Sequence, residues 1–170
     1  RSGCVLHSGL QLRYHPLYIE VNRMITEGAI GDLKFIWAVE MRGDWAKKSD
    51  NPNTNRVLNY MYSAYQSGGT VNNKNSHDFD IFNWVIDSKA VKAAGFGGTA
   101  VYGNRDSLDH FTGIVEYENG VKVSLGLVLF NYGYHDTVLV GTKGKLMFQR
   151  GGMQLSWTDR YNKEDPKTFK

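Results

Sequence analysis

The second half of the chain alternates apolar and polar residues in several short segments, a period of two that is typical of β-strands. Residues 111–117 form one such segment and residues 121–129 form the next, with Asn119-Gly120 between them. An Asn-Gly pair flanked by alternating apolar residues is a strong signal for a two-residue hairpin. Residues 137–140 and 145–149 flank a second turn, and residues 153–157 predict a last strand. The pattern predicts an antiparallel sheet, and the charged run 159–170 predicts no further element.

The first half predicts a strand, a helix and a second strand. Residues 4–13 form the first strand, and Pro16 fits the first turn of a helix that ends near Gly28. Residues 35–41 alternate and predict the second strand. The polar residues 44–59 predict a long loop, with a helical turn within 57–65, and such loops often carry function.

Residues 68–86 place chemically active side chains on a helix. Gly68-Gly69 precede a polar segment, and an amphipathic helix follows. Asn73 and His77 are four residues apart and share one face near the N-terminus of this helix. Backbone N–H groups and the helix dipole favour polar or anionic ligands there, so the geometry suits proton transfer with a substrate hydroxyl.

The same segment also fits a purely structural interpretation. Asn75 or Ser76 would cap the helix, and His77 would be a hydrogen-bonded, half-buried histidine. Asp78 and Asp80 would be first-turn acids that complement the helix dipole. The local pattern leaves both interpretations open.

The run GGTVNNKNSHDFDIFNW at residues 68–84 resembles the signature helix of one protein family, the C-terminal domain of the glucose–fructose oxidoreductase / inositol dehydrogenase (Gfo/Idh/MocA) family. Residues 9–16 resemble the strand that opens that domain, residues 27–33 its helix-to-strand junction and residues 140–146 its late hairpin. The four segments occur in the family's order and together span most of the chain.

The resemblance implies an α+β fold: a mostly antiparallel open β-sheet with helices packed on one face, like dihydrodipicolinate reductase and the C-terminal domain of glyceraldehyde-3-phosphate dehydrogenase. Residues 1–170 would be the substrate-binding and oligomerisation domain of a two-domain oxidoreductase. The family's N-terminal Rossmann domain would be its partner in the same protein and would hold most of the NAD or NADP. The sequence contains neither that domain's phosphate-binding loop nor its catalytic lysine, so we expect this chain alone to be inactive.

The resemblance also implies roles for individual residues in hydride transfer between a nicotinamide and a sugar, polyol or related small molecule. His77 would polarise or deprotonate the reacting hydroxyl. Asn73 stands where many relatives have an acid, and an amide cannot relay a proton. Lys74 would anchor a substrate oxygen or be solvated. The other substrate-binding candidates line the expected interdomain cleft: Gln11, Arg13, Tyr14, Arg42 and Trp45.

Two alternative functions remain open at this stage. Some relatives use the cofactor for redox-assisted cleavage of glycosides. A non-catalytic sugar-binding or assembly module is the second alternative, because several aromatic rings would offer stacking surfaces. These aromatic residues are Trp45, Tyr60, Tyr62, Tyr65 and Trp84.

Other classes of function are disfavoured. The net charge is only +3 with acids and bases mixed, so we expect no nucleic acid and no membrane as partner. The single cysteine, Cys4, excludes an internal disulfide framework, and no histidine or acid stands at a recognised metal-ligand spacing. We expect a cytoplasmic protein with no metal. Residues 95–100 match a relaxed dinucleotide pattern, G-x-G-x-x-A, but no helix pattern follows, so no nucleotide site is predicted there.

The sheet face opposite the helices carries Val128, Phe130 and several aromatic residues. Exposure of such an apolar face to water is unfavourable, so the pattern predicts a homo-oligomer whose subunits pair through this face. Coverage by loops of the same chain is the alternative.

Overall fold

The computed structural model describes residues 2–45, 48–103, 105–131, 133–149, 152–157 and 167–169. In these residues eight strands form one open sheet. The strands are β1 (Leu33–Met41), β2 (Ala90–Gly98), β3 (His110–Tyr117), β4 (Lys122–Val128), β5 (Tyr134–Gly141), β6 (Gly144–Gln149), β7 (Gly152–Trp157) and β8 (Lys167–Phe169).

The spatial order of the strands is β2-β3-β4-β1-β5-β6-β7-β8. β1 lies between β4 and β5, parallel to β4 and antiparallel to β5, and the other neighbouring strands are antiparallel. The predicted α+β class, with a mostly antiparallel open sheet, is therefore confirmed. Both predicted hairpins are present, because β3 pairs with β4 and β5 pairs with β6.

The helical segments lie before β1 and between β1 and β2 along the chain. They are a 3-10 turn (Gln11–Tyr14), α1 (Pro16–Thr26), α2 (Pro52–Leu58), a second 3-10 turn (Tyr60–Tyr62), α3 (Ala64–Ser67), a π turn (Val71–Asn75) and α4 (Ser76–Ile86). The start of α1 follows local rules: Pro16 occupies its first turn and the His15 ring accepts the Leu17 N–H at 3.2 Å.

The predicted strand at residues 4–13 is wrong. Residues 2–9 are exposed, irregular backbone, and Gln11–Tyr14 form a 3-10 turn that leads into α1. An alternating apolar pattern becomes a strand only when a neighbouring strand takes its backbone hydrogen bonds, and this segment pairs with none of the eight strands.

Two further predictions need correction. Within the expected loop 44–59, Asn51 caps α2 by accepting the Asn53 N–H at 2.9 Å, so Pro52 begins a helix there. The charged run 159–170 predicted no element, but Lys167–Phe169 pair with β7 as β8, while residues 158–166 and 170 lie outside the described residues.

The core lies between one face of the sheet and the helices α1 and α4. Its members are apolar side chains of both layers, among them Val21, Met24, Ile36, Ala38, Ile81, Phe82, Val85, Val123, Leu125, Leu139, Leu146 and Phe148. The expectation that two helices cover one face is therefore confirmed. The glycines of residues 95–98 lie inside β2, and no helix follows them in the described residues 99–103 and 105–109.

The opposite sheet face is open in this chain. Trp37 of β1 is 46 % exposed and Ile114 of β3 is 57 % exposed. Ile36 and Ala38, the neighbours of Trp37 in sequence, are buried under the helices. Alternate residues of β1 therefore face the helices or the open side of the sheet, as the pleat of a strand requires.

Gly141 ends β5 where the turn between α1 and β1 crosses it. A β-carbon at position 141 would lie 2.1 Å from the backbone oxygen of Ile30. Backbone cannot move aside as a flexible side chain can, so this crossing requires a glycine.

We expect Gly141→Ala to lower the free energy of unfolding by about 3 kcal/mol, because the added methyl group overpacks a rigid backbone crossing. Urea unfolding measures the change. Gly103→Ala is the matched control, since a β-carbon there meets no atom within 4 Å. Equal stability of the two variants would contradict the crossing as described.

Candidate functional site

The segment that was predicted as a catalytic helix enters α4 through the π turn Val71–Asn75. Single π turns inside helices are frequent at functional sites. Asn73 and His77 are both half-buried on consecutive turns, so the helical placement predicted for this pair is confirmed. Nδ1 of His77 is buried and has no hydrogen-bond partner in the described part of the chain. An unpartnered buried ring nitrogen costs free energy and calls for a functional or structural explanation.

The predicted helix caps are wrong. Neither Asn75 nor Ser76 caps the helix start with its side chain. The fully buried Asn75 instead donates its side-chain amide to the carboxylate of Asp78 at 2.9 Å. The N-terminal turns of α4 are therefore held by contacts other than capping.

Lys74 points into the protein. Its Nζ lies 2.6 Å from Oε2 of Glu40 at the end of β1, and both side chains are more than four-fifths buried. The expectation of a solvated lysine is therefore wrong. Glu40 of the same chain compensates the charge of Lys74. A substrate that contacts Lys74 would therefore meet a lysine that already has an anionic partner.

Asp78 lies next to this pair and faces β5. Its Oδ1 is 4.0 Å from Nε2 of His135, within ion-pair range but beyond hydrogen-bond distance. Burial has the largest effect on the pKa of Asp78 and raises it, and the nearby carboxylate of Glu40 raises it further. Lys74, Asn75 and His135 lower the pKa, but their effects do not outweigh burial. The sequence analysis gave Asp78 only the role of a first-turn acid that complements the helix dipole, so its approach to His135 comes from tertiary packing.

The three cleft candidates of the first 3-10 turn differ in their contacts. Arg13 forms a two-pronged ion pair with Asp80 of α4, with Nε–Oδ2 at 2.7 Å and Nη2–Oδ1 at 2.8 Å. Its guanidinium also lies 5.3 Å from the centre of the Trp84 ring. Gln11 and Tyr14 are exposed beside it. The turn thus places Arg13 against α4 and leaves two polar side chains facing outward.

Arg42 and Trp45 follow the end of β1. The Arg42 guanidinium lies 4.9 Å from the Trp45 ring centre, and the Arg42 N–H bonds to the Val128 carbonyl as a continuation of the strand ladder. Both residues are half-buried. This candidate pair therefore comes together just beyond the end of β1 that carries Glu40.

Arg105 is a residue that sequence reasoning missed. Its side chain is almost fully buried and its guanidinium makes a two-pronged ion pair with Asp44, with Nη1–Oδ1 at 2.8 Å. The rings of Tyr62 and Tyr102 lie on it at 4.5 and 4.6 Å. A lone arginine in an irregular segment carries no periodic signal, so nothing in the sequence pointed to this role.

Arg105 fixes the segment that carries Trp45. The Tyr62 hydroxyl donates to the backbone oxygen of Trp45 at 2.6 Å, and Asp44 is held by Arg105. Three of the five aromatic rings predicted as sugar-stacking surfaces are thus covered by arginines of this chain: Trp45 by Arg42, Tyr62 by Arg105 and Trp84 by Arg13.

Asp109 anchors the loop that contains Arg105. It is fully buried, and its carboxylate accepts N–H groups of Ala100, Val101 and Tyr102 at 2.8 to 3.0 Å. His110 Nδ1 lies 2.8 Å from it. Burial alone would raise the pKa of Asp109, but these donors outweigh burial and hold the pKa well below its ordinary value.

Two pockets lie beside α4. One of about 500 Å³ is bounded by residues of the π turn and of the outer side of α4, including Asn72, Phe79 and Asp80. The other, about 910 Å³, lies at the opposite end of α4 near Asp87 and Asn119. Neither pocket is lined by His77 or Asn73. In the described residues no three histidine, cysteine or acidic side chains are placed to hold a metal ion.

The family model for the GFO/IDH/MocA C-terminal domain matches residues 18–147, which is most of the chain. The chain belongs to this family. The family resemblance of residues 68–84 is thereby confirmed. None of the curated proteins matches the sequence.

Solved structures of similar fold carry different names. The super-repressor mutant of Gal80p from Saccharomyces cerevisiae superposes with a TM-score of 0.76 at 18 % identity, over 95 % of this chain and 45 % of that one. Aldose-aldose oxidoreductase from Caulobacter crescentus, complexed with glycerol, gives 0.75 at 12 % identity over 95 % and 46 %. A protein from Desulfitobacterium hafniense described as an NADPH-dependent oxidoreductase gives 0.77 at 16 % identity over 99 % and 50 %.

These identities establish a common fold and leave activity open. The chain spans about half the length of each of these structures. Among the residues that the structure describes, no helix is both long and apolar enough to cross a membrane.

We expect Asp109→Asn to lower the free energy of unfolding at neutral pH by roughly 2–4 kcal/mol, because an amide cannot accept all the hydrogen bonds that this buried carboxylate accepts. The pKa of Asp109 is depressed by folding, so its contribution is present above the ordinary carboxyl pKa and is lost as the pH falls through the folded value. Urea unfolding at neutral and acidic pH should therefore show the difference from wild type shrinking in acid.

Asp32→Asn is the matched control, because Asp32 is exposed and its ion pair with Lys34 is exposed as well. A difference at position 109 that stays constant with pH would mean that the ionised carboxylate is not what holds the loop.

Proposed function

We propose that this chain is the substrate-binding and assembly domain of an NAD(P)-dependent oxidoreductase that acts on a sugar, polyol or related small molecule. The observation that carries the proposal is the placement of His77 in the first turn of α4, after the π turn, with a buried ring nitrogen that no described group engages. A histidine with an unengaged nitrogen is suited to move a proton at a reacting hydroxyl. Family membership supports the oxidoreductase class.

The neighbours of His77 have distinct roles in this proposal. Asn73, one turn earlier, orients the substrate through its amide and relays no proton. Lys74 contributes through its pair with Glu40 rather than as a free cation. Arg42 and Trp45 bound the site at the end of β1, and Gln11, Arg13 and Tyr14 bound it at the first 3-10 turn.

The nicotinamide would supply the hydride acceptor or donor, and most of its binding groups belong to a Rossmann domain outside this sequence. The orphaned nitrogen of His77 and the polar side chains Gln11 and Tyr14 fit a position beside a cofactor presented by such a domain. The name of the similar D. hafniense protein supports a nicotinamide cofactor. In this proposal the whole protein is a cytoplasmic enzyme, and the present chain alone is inactive.

A non-catalytic regulatory or assembly module is the second candidate. Two observations favour it: position 73 holds an amide, and a repressor mutant, Gal80p, is among the structures of similar fold. Sugar stacking supports it less, because arginines of the chain cover three of the five candidate rings.

In the whole protein that carries this chain, we expect His77→Ala to lower kcat by about 10²–10⁴-fold, the usual contribution of a general acid or base. Steady-state kinetics with a panel of sugars and polyols and either nicotinamide cofactor measures it. Asn73→Asp should change the pH profile of kcat, because it adds a titratable group beside the reacting atoms.

His15→Ala is the matched control, since His15 caps α1 and its loss should cost about 1 kcal/mol of stability with kcat intact. If His77→Ala behaved like His15→Ala, with a lower Tm and an unchanged kcat, His77 would be structural. A whole protein without any nicotinamide-dependent turnover would favour the regulatory module.

We also propose that the open sheet face pairs with a second copy of this chain. Its apolar side chains come from several adjacent strands, as Trp37, Ile114 and Val140 illustrate. Soluble monomers rarely expose large contiguous apolar patches, and a twofold pairing buries the same patch on both copies.

We expect Ile114→Asp to convert a dimer into a monomer, because pairing would bury an unpaired carboxylate in an apolar interface. Sedimentation equilibrium measures the state of assembly, and circular dichroism checks that the fold is retained. Ile19→Asp is the matched control, because Ile19 is similarly exposed on α1, away from the open face. A wild-type chain that stays monomeric at its highest soluble concentration would refute the pairing.

A further inference from the structure

Four ionisable side chains meet beneath the first turns of α4. Lys74 comes from the π turn, Asp78 from α4, Glu40 from β1 and His135 from β5. Glu40 and His135 are directly opposite each other in the ladder of β1 and β5, so they point to the same face, which the helices cover. We refer to these four residues as the buried charge cluster.

The cluster connects helix to sheet through two pairs. Lys74 contacts Glu40 at 2.6 Å, and Asp78 approaches His135 at 4.0 Å. Lys74 and Asp78 are one helical turn apart, so both pairs hold the same face of the helix against the sheet. The start of α4 has no side-chain cap, and these pairs attach it to the sheet, as the Arg13–Asp80 pair attaches it to the first 3-10 turn.

The charges of the cluster balance only with an additional proton. Two carboxylates, Glu40 and Asp78, face one ammonium group, which leaves one negative charge when the His135 ring is neutral. A buried uncompensated charge is costly, and one proton on the Asp78–His135 pair removes it. Tyr18 of α1 also faces the cluster, but burial, together with Asp78 and Glu40, raises its pKa to about 12, so it stays neutral.

We propose that Glu40 and His135 are positioning residues, which hold the first turns of α4 in place through Lys74 and Asp78, and that the Asp78–His135 pair retains one proton in the folded chain. Asn73 and His77 each precede a cluster residue by one position, about 100° around the helix. Whatever fixes Lys74 and Asp78 therefore also fixes the direction in which Asn73 and His77 point. This applies to the folded chain whether or not the whole protein is an enzyme.

The test is an NMR titration of the 170-residue chain that follows the side-chain carboxyl carbon of Asp78 and the backbone amides of Asn73 and His77. In wild type, the two amides should shift with the same pH midpoint as that carboxyl group. Glu40→Gln removes a negative charge and should lower that midpoint by about one pH unit, whereas Lys74→Gln removes a positive charge and should raise it by about as much. Loss of packing does not produce opposite shifts.

Glu20→Gln is the matched control, since Glu20 pairs with Arg23 on the exposed side of α1 and should leave the midpoint unchanged. If Lys74→Gln fails to fold, Lys74→Met makes the same change of charge with an apolar side chain. Shifts of the same sign in both variants, or no shift, would overturn the retained proton. If the amide chemical shifts of Asn73 and His77 do not change during the titration, the positioning role is overturned.

Discussion

The burial of one sheet face by α1 and α4 is the constraint on which the rest of the structure depends. It sets the direction of alternate residues on every strand, because a side chain faces either the helices or the open side. It also brings the π turn over the ends of β1 and β5, where Glu40 and His135 lie. The candidate site is therefore a consequence of core packing as much as of its own residues.

Much of the fold was predictable because its signals are local. The hairpin at Asn119-Gly120 and the alternation of residues 121–129 need no knowledge of the rest of the chain. The same holds for α1, which Pro16 begins. The strand predicted at residues 4–13 was wrong because pattern alone cannot show whether a neighbouring strand is available. β8 was missed because three residues carry no detectable period.

The candidate site was predictable only in part. The i, i+4 relation of Asn73 and His77 follows from sequence spacing, and the structure retains it. The partners of Lys74 and Arg105 lie far away in sequence, as Glu40 and Asp44. Such contacts depend on tertiary packing, which no local pattern reports. The same limit applies to Asp109, whose carboxylate accepts backbone N–H groups of the loop that it anchors.

The alternation of β1 has a consequence for how this domain can change by insertion or deletion. Ile36, Ala38 and Glu40 face the helices, while Trp37 faces the open side. A one-residue slip of β1 would exchange the two sets, so that Trp37 would enter the helix layer and Glu40 would move to the apolar open face. Length variation within this strand would therefore damage both faces at once.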